Sequence, residues 1–326
     1  PPTGGGTTPP PATGTGLTVS DPGQPGVSLA PQSAARLPFT KVRVTAGNDG
    51  DVTVNSITIE RTGLAQDAVF AGVVLIDENG IQIGDAKTFN SNHQATAGVP
   101  FTVKAGTSRV ITIAGNMAAA LTNYAGQVAT LTVVSINTNG AVVSGTLPIT
   151  GAAQTINASL TLGSVTLGTS SYDPNAGLSK EIGTTAYKFT GIRLTAGSTE
   201  KVRLWSVRWY QSGSVSSGDL ANTQTYVDGV AYPTTVSADG KYYTSTFPGG
   251  VLVDKGASTD IWIAGDIVGS SAASRTIQFD LFKTTDVYLT GETYGYGVTP
   301  PAGTGSTSSG ARTTTTFTTG NPWIQS

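Results

Sequence analysis

VRVTAG at residues 42–47 returns, almost unchanged, as IRLTAG at residues 192–197. In the first copy Val42 and Val44 fall on one side of an extended chain, and Arg43 and Thr45 on the other, because side chains alternate along a strand. The Ala-Gly that follows lets the chain turn away without side-chain cost. The match continues downstream. Val52, Val54, Ile57, Ile59 and Gly63 have counterparts in Val202, Leu204, Val207, Trp209 and Gly213. Inward parity slips at Asn55-Ser56, and again at Trp205-Ser206, which predicts a β-bulge in each copy. FTVKAGTSRVITIAGNM (101–117) aligns with VLVDKGASTDIWIAGDI (251–267), and VVSG (142–145) with YLTG (288–291). Matches that keep their spacing over this length mark a tandem duplication of a module of roughly 140 residues.

Between these landmarks, short β-branched runs alternate with Gly, Asn and Asp, the pattern of an all-β chain. ENG (78–80) and DG (228–229) read as hairpin turns. AGTS and GAST read as turns entering strands at 109–114 and 259–264. NMAAALTNYAG (116–126) has room for about one helical turn, but its counterpart IVGSSAAS does not favour helix, so the segment reads as a connection. The expected fold is all-β: two tandem immunoglobulin-like β-sandwich domains with extended Pro/Gly/Thr-rich termini. The expected boundaries are 1–16 for a Pro/Gly/Thr linker, 17–157 for module 1, 158–298 for module 2 and 299–326 for a Thr-rich extended C-terminal tail.

Composition narrows the function. Only 12% of the 326 residues are charged and the net charge is −2, so no basic field exists to hold nucleic acid. No apolar run approaches the ~18 residues of a membrane span; the stretch from Ala68 to Ile76 fits a buried strand. With no Cys, disulfides, thiol catalysis and thiolate metal sites all drop out. The chain begins at Pro1, which fits either a removed leader or a piece of a longer protein.

No catalytic constellation emerges. His93 is the single histidine, in the polar loop NSNHQATAG, without the context of a nucleophile elbow. Carboxylates are scattered and no facing pair is marked. The glycine-rich stretches lack the GK[ST] of a phosphate loop. Asp49 and Asp51 in NDGD, with Asp77 in DEN, offer the oxygen ligands calcium takes. Ordinary turn chemistry is the plainer reading, and the second copy has STEK (198–201) instead of NDGD, so the feature is not part of the module. The expectation is no enzyme and no cofactor, with calcium as the one candidate ion.

Differences between the copies point to contact surfaces. Trp209 stands at the core position of Ile59, so it reads as core. Trp262 replaces Thr112 between two inward isoleucines, and Trp205 replaces Asn55 at the bulge. Both are expected to face outward, as aromatics at subunit contacts or sugar sites do. In the tail, the β-branched run TTTTFTT and the residues Phe317, Trp323 and Ile324 suit addition to a sheet edge of a neighbouring subunit. The Thr-rich tails and the sequon Asn157-Ala158-Ser159 are candidates for glycosylation.

FTKVRVTAGNDGDVTVNSITIERTG (39–63), the stretch from Val207 to Ile267 and SGTLPITG (144–151) resemble the repeated immunoglobulin-like modules of cell-surface proteins in candidate-phyla, Patescibacteria-type bacteria. The resemblance covers about residues 17–298. It implies secretion, a place in the cell envelope and a structural role in an S-layer-like lattice or a wall-attached stalk. The expected protein is an extracellular subunit that self-assembles into a homo-oligomeric layer or filament on a bacterial surface. The alternatives are an adhesin that binds wall or surface glycans, and a phage or virion fibre or decoration protein.

Overall fold

The computed structural model describes residues 13–174, 180–269 and 275–301, with the backbone of 321–322. The chain divides into two compact units, 1–160 and 161–326. Unit 1 holds β1 (Gly16–Ser20), β2 (Leu29–Pro31), β3 (Leu37–Ala46), β4 (Val52–Gly63), β5 (Phe70–Ile76), β6 (Gln82–Lys87) and β7 (Gln94–Ala97). It continues with β8 (Phe101–Val103), β9 (Ser108–Met117), β10 (Val128–Thr138), β11 (Val142–Gly145), β12 (Ile149–Thr150) and β13 (Gln154–Asn157). Unit 2 holds β14 (Val165–Thr169), β15 (Tyr187–Ala196), β16 (Val202–Gly213), β17 (Leu220–Val227), β18 (Val230–Pro233) and β19 (Thr235–Val236). It ends with β20 (Tyr242–Val253), β21 (Ser258–Ile267), β22 (Thr276–Asp280), β23 (Val287–Gly291), β24 (Gly297–Val298) and β25 (Asn321–Pro322). Among the described residues helix is confined to short 3-10 turns, one of them at Thr122–Tyr124 in the expected connection. No helix there is long and apolar enough to cross a membrane.

Each unit is an immunoglobulin-like sandwich of two sheets. In unit 2 one sheet runs β14-β15-β21-β17-β18, and the other runs β19-β20-β16-β22-β25 with β23 also on β16. Unit 1 repeats the plan as β11-β1-β3-β9-β5-β6 facing β2-β13-β10-β4-β7. The order first strand, second strand, late strand, middle strand is that of the larger sheet of an immunoglobulin domain. The duplication holds at the level of register in the paired β3/β15, β4/β16 and β9/β21, but VVSG and YLTG do not correspond: β11 pairs with β1, whereas β23 pairs with β16 as the end of β10 pairs with β4. Thr45 pairs with Ser108 and Thr195 with Ser258, and in both pairs the hydroxyl oxygens lie 2.8 Å apart. The predicted bulges are present: register shifts past Asn55 in β4 and past Trp205 in β16. DG closes the β17–β18 hairpin with positive φ at both Asp228 and Gly229, as a two-residue type I′ turn requires.

The parity read from the sequence sets the cores. Val42, Val44, Ile57, Ile59, Ile111 and Ile113 are buried in unit 1, and their counterparts Ile192, Leu194, Val207, Trp209, Ile261 and Ile263 in unit 2. The units differ in filling. Unit 2 carries Trp209, Tyr243 and Phe279 in full burial, where register equivalence puts Ile59, Ala95 and Leu131 in unit 1. Residues 13–16, read as linker, join unit 1 instead. Thr13 bridges to Asp51, the Gly14 N–H donates to the Asp51 carbonyl at 2.8 Å, and β1 starts at Gly16.

Candidate assembly surfaces

Trp262 corrects the sequence reading. It points to the outer face of its sheet, as parity requires, yet it is only 5% exposed. Tyr226, directly opposite on β17, stacks on it at 5.2 Å between ring centroids and 2° between planes. Tyr172 covers it from the other side at 4.0 Å, and the Lys188 ammonium lies 5.6 Å from its ring. The opposite neighbour in register is Gly191. A Cβ there would meet the Asp173 nitrogen at 3.0 Å and Ser170 Cβ at 3.2 Å, so glycine makes room for the 170–173 loop to fold over the sheet. Asp173 pins that loop by accepting from Thr190 Oγ1 at 2.9 Å and the Gly191 N–H at 3.0 Å. The signal was present in the sequence as three coupled differences: Gly191 for Lys41, Tyr226 for Ile76 and Trp262 for Thr112.

Trp205 is half-buried at its bulge. Its indole N–H donates to Thr290 Oγ1 at 2.8 Å, and the Arg203 guanidinium carbon lies 5.9 Å from the ring. Arg203 in turn forms a two-pronged pair with Glu292, at 2.8 Å on each prong. Trp205 is therefore a partly buried ring braced by Thr290 and Arg203. Phe317, Trp323 and Ile324 lie outside the residues whose side chains are described.

The acidic loops are engaged in turn chemistry. Asp49 accepts from the Thr15 N–H at 2.8 Å and its hydroxyl at 2.6 Å. Asp51 meets Lys104 Nζ at 2.7 Å and the Ala105 N–H at 2.9 Å. Asp77 accepts from the Asn79 and Ile81 N–H groups at 2.9 and 2.8 Å, closing the β5–β6 hairpin. Among the described residues no three or more His, Asp or Glu side chains gather as metal ligands. His93 lies exposed, with Nδ1 2.7 Å from Asp67, which also accepts from Arg61 Nε. Asn157 uses its side-chain oxygen to accept from the Ser159 and Leu160 N–H groups at 3.1 and 2.8 Å.

These contacts set an acid limit. The Thr15 hydroxyl lowers the Asp49 carboxyl, Lys104 that of Asp51, Arg193 that of Asp260 and Arg203 that of Glu292. A carboxyl whose folded pKa lies below its unfolded value of about 4 contributes stability above that value, lost as pH falls through the folded one. The melting temperature by circular dichroism is thus expected to stay level down to about pH 5 and to fall below about pH 4. An unchanged melting temperature at pH 3 would show these pairs to be energetically silent.

The sheet edges were less legible in the sequence. β2, β11, β18 and β19 each end a sheet, and their sequences LAP, VVSG, VAYP and TV contain no charge. Each carries an exposed aliphatic side chain: Leu29, Val142, Val230 and Val236, with Val142 at 71%. Pro31 and Pro233 remove one N–H from β2 and β18, but β11 and β19 have neither proline nor charge to block pairing.

No protein-family model and no curated protein sequence matches the chain. Solved structures resemble the chain only loosely. One carries the name membrane anchored protein, from Corynebacterium diphtheriae, at 9% identity and TM-score 0.23, over 95% of this chain. The chain spans 59% of that protein. Another is the C-terminal domain of the Streptococcus pyogenes antigen I/II-family protein AspA, at 8% identity and TM-score 0.22, covering 87% of this chain and 96% of that one. A third is a variant of BcpA, the major pilin subunit of Bacillus cereus, at 8% identity and TM-score 0.21, covering 88% and 70%. The fold assignment rests on the strand order and register above.

Proposed function

We propose that this chain is a non-enzymatic, extracellular structural subunit that associates with copies of itself, edge to edge, into a layer or filament on a bacterial surface. The observation that carries the reading is the unguarded sheet edge. A monomer normally blunts its edges with charge, proline or a bulge. Here β11 and β19 have neither charge nor proline, and each exposes an aliphatic residue, Val142 and Val236, which favours strand addition. Low overall charge supports close packing, because few ions must be stripped of water. The glycan-binding alternative leaned on outward tryptophans. With Trp262 covered by Tyr172 and Tyr226, that alternative keeps, among the tryptophans whose side chains are described, the half-buried Trp205.

Electron microscopy of the purified chain, with and without a calcium chelator, is expected to show ordered sheets or filaments. Lysine at the open edges, as Val142→Lys, Val230→Lys and Val236→Lys combined, is expected to leave single folded copies with an unchanged circular dichroism spectrum. Single copies at all concentrations for the unmodified chain, or unimpaired assembly of the lysine variant, would refute the edge mechanism.

A further inference from the structure

The two units close differently. In unit 1, β10 is covered on its outer side by β13: Val128 pairs with Thr155 and Ala129 with Gln154. Gln154 there is buried, accepting from the Ser28 N–H and donating to the Gly26 and Pro38 carbonyls, while Ile156 fills the adjoining core. The strand of unit 2 that matches β10 is β22, since Gly63 pairs with Ala129 and Gly213 with Ile277. On the outer side of β22 lies β25: Thr276 pairs with Pro322 and Ile277 with Asn321. By register, then, Asn321 and Pro322 stand where unit 1 has Gln154 and Thr155.

We propose that the outer edge of β22 is a strand-acceptor site and that its occupant is the C-terminal segment of this chain, residues 313–326. This segment completes unit 2 as β13 completes unit 1. The repeat therefore extends beyond Val298 and takes in sequence read as an extended tail for the sheet edge of a neighbouring subunit. Composition agrees. TTTTFTT is rich in β-branched residues that suit a strand. Pro322 suits an outermost strand, which has no partner on its far side. At the next position unit 1 buries Ile156, and the sequence supplies the apolar Trp323. The connection differs in a telling way. Unit 1 passes from Thr138 at the end of β10 to Gln154 at the start of β13, whereas unit 2 passes from Gly291 at the end of β23 to Asn321. The longer connection is rich in Gly, Ser and Thr, a composition that suits a linker. It allows the strand to reach its own unit, or that of a second copy by exchange. The inference goes beyond edge-to-edge assembly and does not require it.

The chain has no cysteine, so paired cysteines report the contact directly. Residues opposite each other in an antiparallel pair have Cα atoms about 4.5–5.5 Å apart, within the range a disulfide spans. Thr276→Cys with Pro322→Cys, in the full chain under mild oxidation, is expected to form a disulfide within one chain. Thr276→Cys with Ser306→Cys is the control expected to stay reduced. A covalent ladder of copies on a non-reducing gel would also support the acceptor site, with the same strand delivered by a neighbour. No disulfide beyond the control level would overturn the proposal. As a second measurement, a chain ending at residue 312 is expected to lose amide-exchange protection over 276–280, and a synthetic 313–326 peptide to restore it. Unchanged protection in the shortened chain would equally overturn the proposal. An intrachain disulfide in a protein that shows no sheets or filaments would sink the assembly reading and leave this one standing.

Discussion

Trp209→Ala is expected to destabilise unit 2 by about 3–5 kcal/mol, the range for deleting a large aromatic from a packed core. Trp209 is fully buried, and its indole N–H donates to Thr225 Oγ1 at 2.9 Å. Thr225 Oγ1 lies 2.9 Å from Ser245 Oγ, and both residues are fully buried. Register equivalence puts Ile59, Leu75 and Ala97 at these places in unit 1. The three differences belong together. A buried indole needs an acceptor, which Thr225 supplies where unit 1 has leucine, and Ser245, where unit 1 has alanine, gives that hydroxyl a partner. Thr225→Val should therefore cost about 1–3 kcal/mol by leaving the indole N–H unpaired. Restoring all three unit 1 residues, Trp209→Ile, Thr225→Leu and Ser245→Ala, should cost less than the sum of the single changes. Urea titration followed by far-ultraviolet circular dichroism measures each value. Strict additivity would show that the three side chains do not act as a unit.

Arg208→Ala is expected to cost a similar amount, about 3–5 kcal/mol near neutral pH, because it strands a buried carboxylate. The Asp286 side chain has no exposed surface. Its Oδ1 lies 2.7 Å from Arg208 Nε and 2.6 Å from Nη2, and its Oδ2 accepts from the Lys283 N–H at 2.8 Å. The Arg208 guanidinium carbon also sits 4.9 Å from the Tyr242 ring. Burial pushes the Asp286 carboxyl up from the usual range, and Arg208 offsets this only in part. Between about pH 4 and the raised folded pKa, the folded state holds this proton more tightly than the unfolded state does. This group's contribution is full below about pH 4 and declines as pH rises through the folded pKa. Removing Arg208 raises the carboxyl further, so the penalty should be largest at pH 7–8 and shrink toward about pH 4. Asp286→Asn should remove this slope and cost less, because the guanidinium left behind is partly exposed. All four Trp residues lie beyond position 200, so tryptophan fluorescence in urea follows unit 2 alone. A penalty independent of pH would mean that removing Arg208 does not change the proton affinity of Asp286.

Much of the fold was legible in the sequence for a physical reason. Strand parity, bulge position and hairpin turns are local properties, and a duplicated chain states each of them twice. Asn55 and Trp205 could be named as bulges because parity slips at the same place in both copies. Trp209 could be named as core because Ile59 already occupied the position.

Surface assignment was a different matter. Parity correctly sent Trp262 to the outer face, but parity cannot say what lies over that face. Gly191 and the loop held by Asp173 decided it, and they meet Trp262 only through strand pairing and a fold-back. The edge strands carry the same lesson. VVSG reads as a strand anywhere, and only its place at the end of a sheet makes Val142 an open contact. The tail read as an appendage because its matching strand, β13, sits behind a much shorter connection in unit 1. By itself the sequence determined the module, its duplication and the inward residues, since burial in a sandwich follows a period of two. The tertiary structure alone decided which outward residues are covered, which edges stay open and which strand closes each unit, because those depend on neighbours distant along the chain.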